Sequence, residues 1–269
     1  MSPAVELGTV DVGGLRIAYR RAGEGPPLVL LHGWPSDGRE WRRQLEGLPD
    51  EFTVVAWDAP GAGRSSDPPE TFRLPDWADR LAGFIEALGL VPAHVGGLSW
   101  GGGLALQLYG RHPEVVRSLI LVSAYAGWGG SLPAEEVERR LQLMVRNSEL
   151  PPAEWAPALI KTLLTDRATE GMVEDLTSIV SDLHPAATRV ALRAFAEADL
   201  RDVLPRINVP TLLLYGEEDV RAPRPVWEPL HTRVPGSKLV LVPGVGHMID
   251  IEAAGRFNAE VRGFLRSVS

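Results

Sequence analysis

The amino-acid sequence predicts an α/β fold: a mostly parallel, doubly wound sheet with one inserted helical segment. Three observations carry this. Wholly apolar runs at 28–31, 53–57, 118–122 and 211–215 suit strands buried on both faces of a parallel sheet. Between them lie helical patterns, such as Trp77, Leu81, Phe84, Ile85 and Leu88 at three- and four-residue steps. From 127 to 200 the alternation stops, and helical patterns follow one another with no convincing strand.

Taken in order, the chain opens with two short strands at 6–10 and 15–20. Gly13-Gly14 joins them as a hairpin, so antiparallel structure precedes the parallel sheet. Residues 93–97 form a short strand, and 101–111 a helix buried through Leu104, Leu106, Leu108 and Tyr109. Gly101, Gly102 and Gly103 weaken that helix and predict close packing of its first turn. In the insertion, Ser131 and Pro133 start a helix with Val137, Leu141, Met144 and Val145 on one face. Its other side carries Glu135 to Arg139 and Glu136 to Arg140 as i,i+4 pairs. Pro151, Pro152, Pro157 and Pro185 punctuate three further short helices. Residues 238–242 read as the last strand and 253–266 as the last helix. The expected organisation is a core of 1–126 and 201–269 with a helical cap of 127–200.

A chain of 269 residues is long enough for one large α/β domain. Its 45% hydrophobic and 23% charged residues are those of a soluble globular protein. Lys+Arg of 27 against Asp+Glu of 35 gives 27 − 35 = −8, which opposes nucleic acid or an anionic membrane as the main partner. With no Cys there is no disulfide, thiolate metal site or cysteine nucleophile, and a reducing cytoplasm fits. Residues 1–11 lack a basic region followed by an apolar run, and no apolar stretch reaches spanning length. The chain therefore reads as cytoplasmic, without membrane insertion. Nothing in it specifies an oligomeric state.

Gly97-Leu98-Ser99-Trp100-Gly101 places a serine where an apolar strand gives way to a helix, the layout of a nucleophile elbow. Such a turn forces its central residue into strained angles that small neighbours tolerate. The serine then stands clear of the sheet, and the Trp100 amide points from a helix N-terminus toward developing negative charge. A serine nucleophile needs a histidine base. Of six histidines, His94, His112, His184 and His231 sit in or beside strands and helices. His247 follows the 238–242 strand through Pro243-Gly244-Val245-Gly246, a mobile loop at a strand's carboxyl end.

The acid has a similar address. Asp219 follows the 211–215 strand, with Glu217 and Glu218 as nearest rivals. Asp250 stands three residues from His247 and is badly placed to orient it, and 123–130 contains no carboxylate. The order is then Ser99, Asp219, His247. A second oxyanion donor is expected in His32-Gly33-Trp34-Pro35, after the 28–31 strand: the Trp34 amide, with His32 as a buried structural imidazole.

Together with Asp58-Ala59-Pro60-Gly61-Ala62-Gly63-Arg64-Ser65, Gly216-Glu217-Glu218-Asp219 and Gly246-His247, these motifs make the chain resemble the α/β-hydrolase superfamily over nearly its whole length, the cap excepted. His32 to Pro35 is similar to epoxide hydrolases, and Trp100 to the tryptophan after the nucleophile in haloalkane dehalogenases. Both of those use aspartate where this chain has Ser99. Serine attacking an alkyl centre would leave an inert ether, so Ser99 needs an acyl substrate. Epoxide opening also uses cap tyrosines, and Tyr19, Tyr109, Tyr125 and Tyr215 all fall outside the cap.

The reading is a hydrolase of carboxylic esters or lactones of small to medium, fairly apolar acyl compounds, with no cofactor and no metal. Ser99 attacks, His247 transfers protons, Asp219 orients His247, and the Trp34 and Trp100 amides hold the oxyanion. Candidate pocket residues are Trp34, Trp100, Trp128, Met144, Trp155 and Val220, with Trp128 or Trp155 expected to line the acyl pocket. The resemblance also admits carbon-carbon bond hydrolases of ring-cleavage pathways, enol-lactonases and cofactor-free perhydrolases. A small-ligand sensor on the same fold is the alternative from outside enzymology.

Overall fold

The structure is a computed structural model that describes residues 4–268. The first three residues of the stretch read for a leader, and Ser269, lie outside the described residues. Eight strands form one sheet: β1 Glu6–Val12, β2 Leu15–Ala22, β3 Pro27–Leu31, β4 Thr53–Trp57, β5 Ala93–Leu98, β6 Val116–Val122, β7 Thr211–Gly216 and β8 Lys238–Val242. Their spatial order is β1-β2-β4-β3-β5-β6-β7-β8. β1 and β2 pair antiparallel, as do β2 and β4, and every later pairing is parallel. The apolar runs explain the middle of the sheet, since β4, β5 and β7 are buried along their whole lengths.

Helices α1 Arg42–Gly47, α2 Leu74–Ala87 and α3 Trp100–Arg111 lie among the first six strands. The insertion between β6 and β7 holds α4 Trp128–Ser131, α5 Ala134–Ser148, α6 Pro152–Leu163, α7 Glu170–Ser181 and α8 Pro185–Glu197. α9 Arg224–Arg233, α10 Ile249–Glu252 and α11 Ala254–Ser267 complete the chain. Sequence periodicity did not resolve α1 or α4, and it left α10 unread before the last helix, expected at 253–266 and found as α11. Short helices present too few turns for a 3.6-residue repeat to register.

Strand order reverses between β3 and β5, where a crevice opens at the carboxyl ends of a doubly wound sheet. The loops after β3 and β5 therefore become neighbours. Asp58, at the end of β4, ties the surrounding turns together. It accepts from Arg20 Nη1 at 2.6 Å, from the Gly38 amide at 2.9 Å and from the Arg64 amide at 3.0 Å. Ser65 Oγ donates to the Asp58 carbonyl at 2.6 Å and accepts from the Ala18 amide at 2.9 Å. The Asp58 to Ser65 motif is thus a brace between strands and loops.

Within the insertion α5 packs on α8, and α6 on α7. Phe195 of α8 is fully buried between Tyr125 and Trp128, with ring centroids at 6.2 and 5.8 Å. Ion pairs from Arg39 to Asp182 and from Arg42 and Arg43 to Asp175 hold the insertion to the 3₁₀ turn Gly38–Trp41 and to α1, at 2.8, 2.6 and 3.2 Å. Their exposure makes each of small energetic weight. On α5 both arginines turn to Glu136: Arg139 at 2.7 Å and Arg140 at 2.6 Å. The expected Glu135 to Arg139 pair does not form, because Arg140 is drawn inward and brings Glu136 with it.

Candidate active site

Ser99 sits between β5 and α3 with φ 52° and ψ −108°, a conformation a non-glycine residue adopts only where its surroundings enforce it. Its amide donates to the Val122 carbonyl at 2.8 Å and its carbonyl accepts from Gly103 at 3.1 Å. The turn is this tight because α3 lies directly on the strand ends. A Cβ on Gly97 would stand 2.3 Å from the Gly101 carbonyl oxygen, and one on Gly101 would stand 2.3 Å from that of Leu31. Neither backbone can yield without moving Ser99. Gly97→Ala is accordingly expected to lower stability by at least about 1–3 kcal/mol, the usual cost of overpacking. A thermal melt within 1 °C of wild type, a margin set by the roughly 2–4 °C per kcal/mol of domains this size, would refute the close-packing account.

His247 and Asp219 come together although 28 residues separate them. His247 Nδ1 lies 2.8 Å from Asp219 Oδ2, and both side chains are buried. Asp219 Oδ1 accepts from the Arg221 and Ala222 amides at 2.8 and 2.9 Å. Burial alone would raise the Asp219 carboxyl. The facing His247 charge, its hydrogen bond and the two amides outweigh that and hold it below the usual carboxylate range. The acceptor role of Asp219 puts the proton on Nδ1 and leaves Nε2 as the free lone pair.

Two contacts fix the His247 backbone, and a third holds Gly246 before it. Its carbonyl accepts from Ser123 Oγ at 2.8 Å, and its amide donates to the Leu163 carbonyl at 3.0 Å. Glu252 accepts from the Gly246 amide at 2.8 Å and from both the amide and hydroxyl of Thr165 at 2.7 Å. Ser123 is the second non-glycine residue with positive φ among the described residues, at 44°. Sequence reasoning passed over Ser123 and Glu252, whose partners lie far along the chain.

Ser99 and His247 line one cavity of about 20 Å³, room for little more than one water molecule. Ser99 Oγ makes no hydrogen bond among the described residues. Trp34 shares this cavity. Its amide makes no hydrogen bond among the described residues, and that of Trp100, first in α3, has no intrahelical acceptor. Trp100 itself is packed against His32, Trp34 and Trp77, with centroids at 6.4, 5.1 and 5.9 Å, so its ring backs the loop rather than lining the cavity. His32 is a buried brace: Nδ1 lies 2.7 Å from the Gly33 carbonyl, and Nε2 accepts from the Ala59 amide at 3.0 Å. Burial lowers its pKa and keeps it neutral.

Of the other expected pocket residues, Trp128, Met144, Trp155 and Val220 stay outside the cavity. Trp128 packs on Phe195 as a seal. Met144, Trp155 and Val220 line a separate groove of about 360 Å³ on the insertion. The cavity walls come instead from Leu98, Leu163, Leu176, Val180 and Met248, with Arg221 and Glu40 as its charged members. Hydrophobic periodicity marks all these apolar positions as buried and says nothing of which cavity they face.

Glu40 is the least expected of these, a carboxyl 1% exposed that accepts from the Gly33 amide at 3.2 and 3.3 Å through its two oxygens. It thereby holds the turn that carries the Trp34 amide. Asp250 is also fully buried, and neither of its carboxyl oxygens has a hydrogen-bond partner among the described residues. Burial pushes Asp250 up to about 7. Burial first, and the Asp250 charge next, push Glu40 well above the carboxylate range. A raised folded pKa contributes stability below the unfolded value of about 3.9 and loses it as pH rises toward 7. Asp250→Asn should therefore gain in melting temperature over wild type as pH moves from 5 to 8. An amide leaves a constant offset, so a difference that does not change with pH would contradict the buried-acid assignment.

Among the described residues no group of three or more His, Asp or Glu side chains could hold a metal ion, and no helix is long and apolar enough to cross a membrane.

With this geometry in view, the comparisons with known proteins are direct. A family model described as alpha/beta hydrolase fold matches residues 26–254. A pimeloyl-[acyl-carrier protein] methyl ester esterase of Neisseria meningitidis serogroup B is 32% identical over 261 residues, covering 88% of this chain and 92% of its own. The dihydrolipoyllysine-residue acetyltransferase component of the acetoin cleaving system of Cupriavidus necator is 31% identical over 264 residues, covering 95% of this chain and 68% of its own. Among solved structures, a thermophilic esterase from Thermogutta terrifontis superimposes with a TM-score of 0.88 at 29% identity, over 100% of this chain and 99% of that one. The chain belongs to the alpha/beta hydrolase fold family.

Proposed function

We propose that the protein is a serine hydrolase of carboxylic esters or lactones with small to medium, fairly apolar acyl groups, acting through an acyl-enzyme. The observation that carries this is the 2.8 Å contact between His247 Nδ1 and Asp219 Oδ2 beside a Ser99 held at positive φ in the same cavity. Esterases among the relatives support the same reaction class.

In the forward step Ser99 Oγ attacks the acyl carbon while His247 Nε2 takes its proton. The Trp34 and Trp100 amides receive the oxyanion, each donor in such a site contributing about 2.7–4 kcal/mol. Collapse of the tetrahedral intermediate breaks the bond to the alkoxide, which leaves with the proton from His247. Water then repeats the sequence on the acyl-enzyme and releases the acid. Asp219 stays ionised throughout and stabilises the imidazolium. Residues 127–200 act as a cap whose leucines and valine exclude water.

The test is a screen of esters across acyl chain lengths, lactones and ring-cleavage diketones, with Ser99→Ala as control. Turnover of around 1 per second or more on an ester or lactone, absent in the control, is the expected result. Ligand binding without turnover would favour the sensor reading.

A further inference from the structure

Arg221 stands in the wall between two hollows. On one side is the cavity of Ser99 and His247, and on the other the groove of Met144, Trp155 and Val220. Its side chain is partly buried, and Nη1 donates to Thr162 Oγ1 of α6 at 3.0 Å. No carboxylate lies within ion-pair distance of it among the described residues, although Glu154 lines the same groove and Asp219 and Glu136 act on it from farther off. Asp219 holds His247 and two amides. Glu136 holds Arg139 and Arg140, and Glu218 holds Arg167 at 2.9 Å.

A second cation compounds the imbalance. Arg140 donates to the Arg221 carbonyl at 3.3 Å and to the Tyr125 hydroxyl at 3.2 Å, and Tyr125 donates to the same carbonyl. Burial lowers the Arg221 pKa and the Arg140 charge adds to this, against the opposing pull of Tyr125, Asp219 and Glu136. The guanidinium is partly exposed, with one neutral hydroxyl as its side-chain acceptor, and its planar fork fits a carboxylate.

We propose that Arg221 determines specificity by binding a carboxylate on the substrate, so that the favoured class is an ester or lactone bearing a free carboxylate away from the reacting carbonyl. The proposal rests on the hydrolase reading above. The apolar chain between the two groups would lie along Leu98, Leu163 and Val180, which must part to admit it, because the cavity of about 20 Å³ holds little more than one water molecule. On binding, the guanidinium exchanges the Thr162 hydroxyl for a charged acceptor, and charge-assisted bonds are about twice as strong as neutral ones.

The experiment compares the monomethyl ester of a straight-chain dicarboxylic acid with the methyl ester of the monocarboxylic acid of equal length, at several lengths. Wild type should favour the half-ester roughly ten- to hundredfold in kcat/KM. Arg221→Gln should bring the ratio to near one, Arg221→Lys to an intermediate value, and Thr162→Val should preserve it. Equal or reversed preference in wild type overturns the proposal, as does an unchanged ratio in a folded Arg221→Gln. If that variant fails to fold, the wild-type ratio and the lysine variant decide. If wild type hydrolyses neither ester, the hydrolase reading fails separately, and calorimetric titration of glutarate into wild type and Arg221→Lys decides the role of Arg221. Binding that weakens in the variant supports it. Absent or equal binding refutes it.

Discussion

Ser99→Ala removes turnover and leaves the fold in place. The hydroxyl makes no hydrogen bond among the described residues and does not cap α3, so its loss breaks no structural contact. Alanine at φ 52° bears the same backbone strain as serine. The expected fall in kcat is on the order of 10⁴- to 10⁶-fold, the range seen when a serine nucleophile is deleted. The melting temperature should shift by no more than about 1–2 °C. Activity above a tenth of wild type on any ester that wild type hydrolyses would end the serine mechanism.

Asp219→Asn carries the second largest effect, a loss of about 10⁴-fold in kcat. The asparagine carbonyl can still accept the Arg221 and Ala222 amides, so the loop should hold its shape. Its NH₂ group, however, donates to His247 Nδ1 and moves the imidazole proton to Nε2, where a base must have a lone pair. KM should change little. Glu218→Gln is the control, since Glu218 faces outward to Arg167. A larger loss in that variant would transfer the acid role.

How much of this was legible in the sequence follows the distance over which each feature is decided. Strand runs, the turn at Ser99 and the loops ending in Asp219 and His247 are local patterns, readable from neighbours in the chain. The roles of Arg221, Arg140 and Glu252 are set by partners 59, 81 and 87 residues away, which no spacing rule reports. Glu40 was illegible for another reason. An acidic side chain close to Arg39, Arg42 and Arg43 in the chain reads as a solvated surface residue, and only the folded turn around Gly33 makes its burial tolerable. Trp128 was legible as buried but not as a seal rather than a pocket wall, because burial against Phe195 and burial against a substrate leave the same apolar signature.

The Leu163 carbonyl accepts from both His247 and Met248, at 3.0 and 3.3 Å. Leu163 belongs to α6, so on the proposed function the proton carrier hangs partly from the lid above it. A lid that lifts to admit substrate lets go of that loop, and one that settles again puts the imidazole back in register. On that reading, entry and bond cleavage would belong to different moments of the cycle. Shortening the insertion to widen access would not yield a faster, less selective enzyme, but one whose base had lost its anchorage.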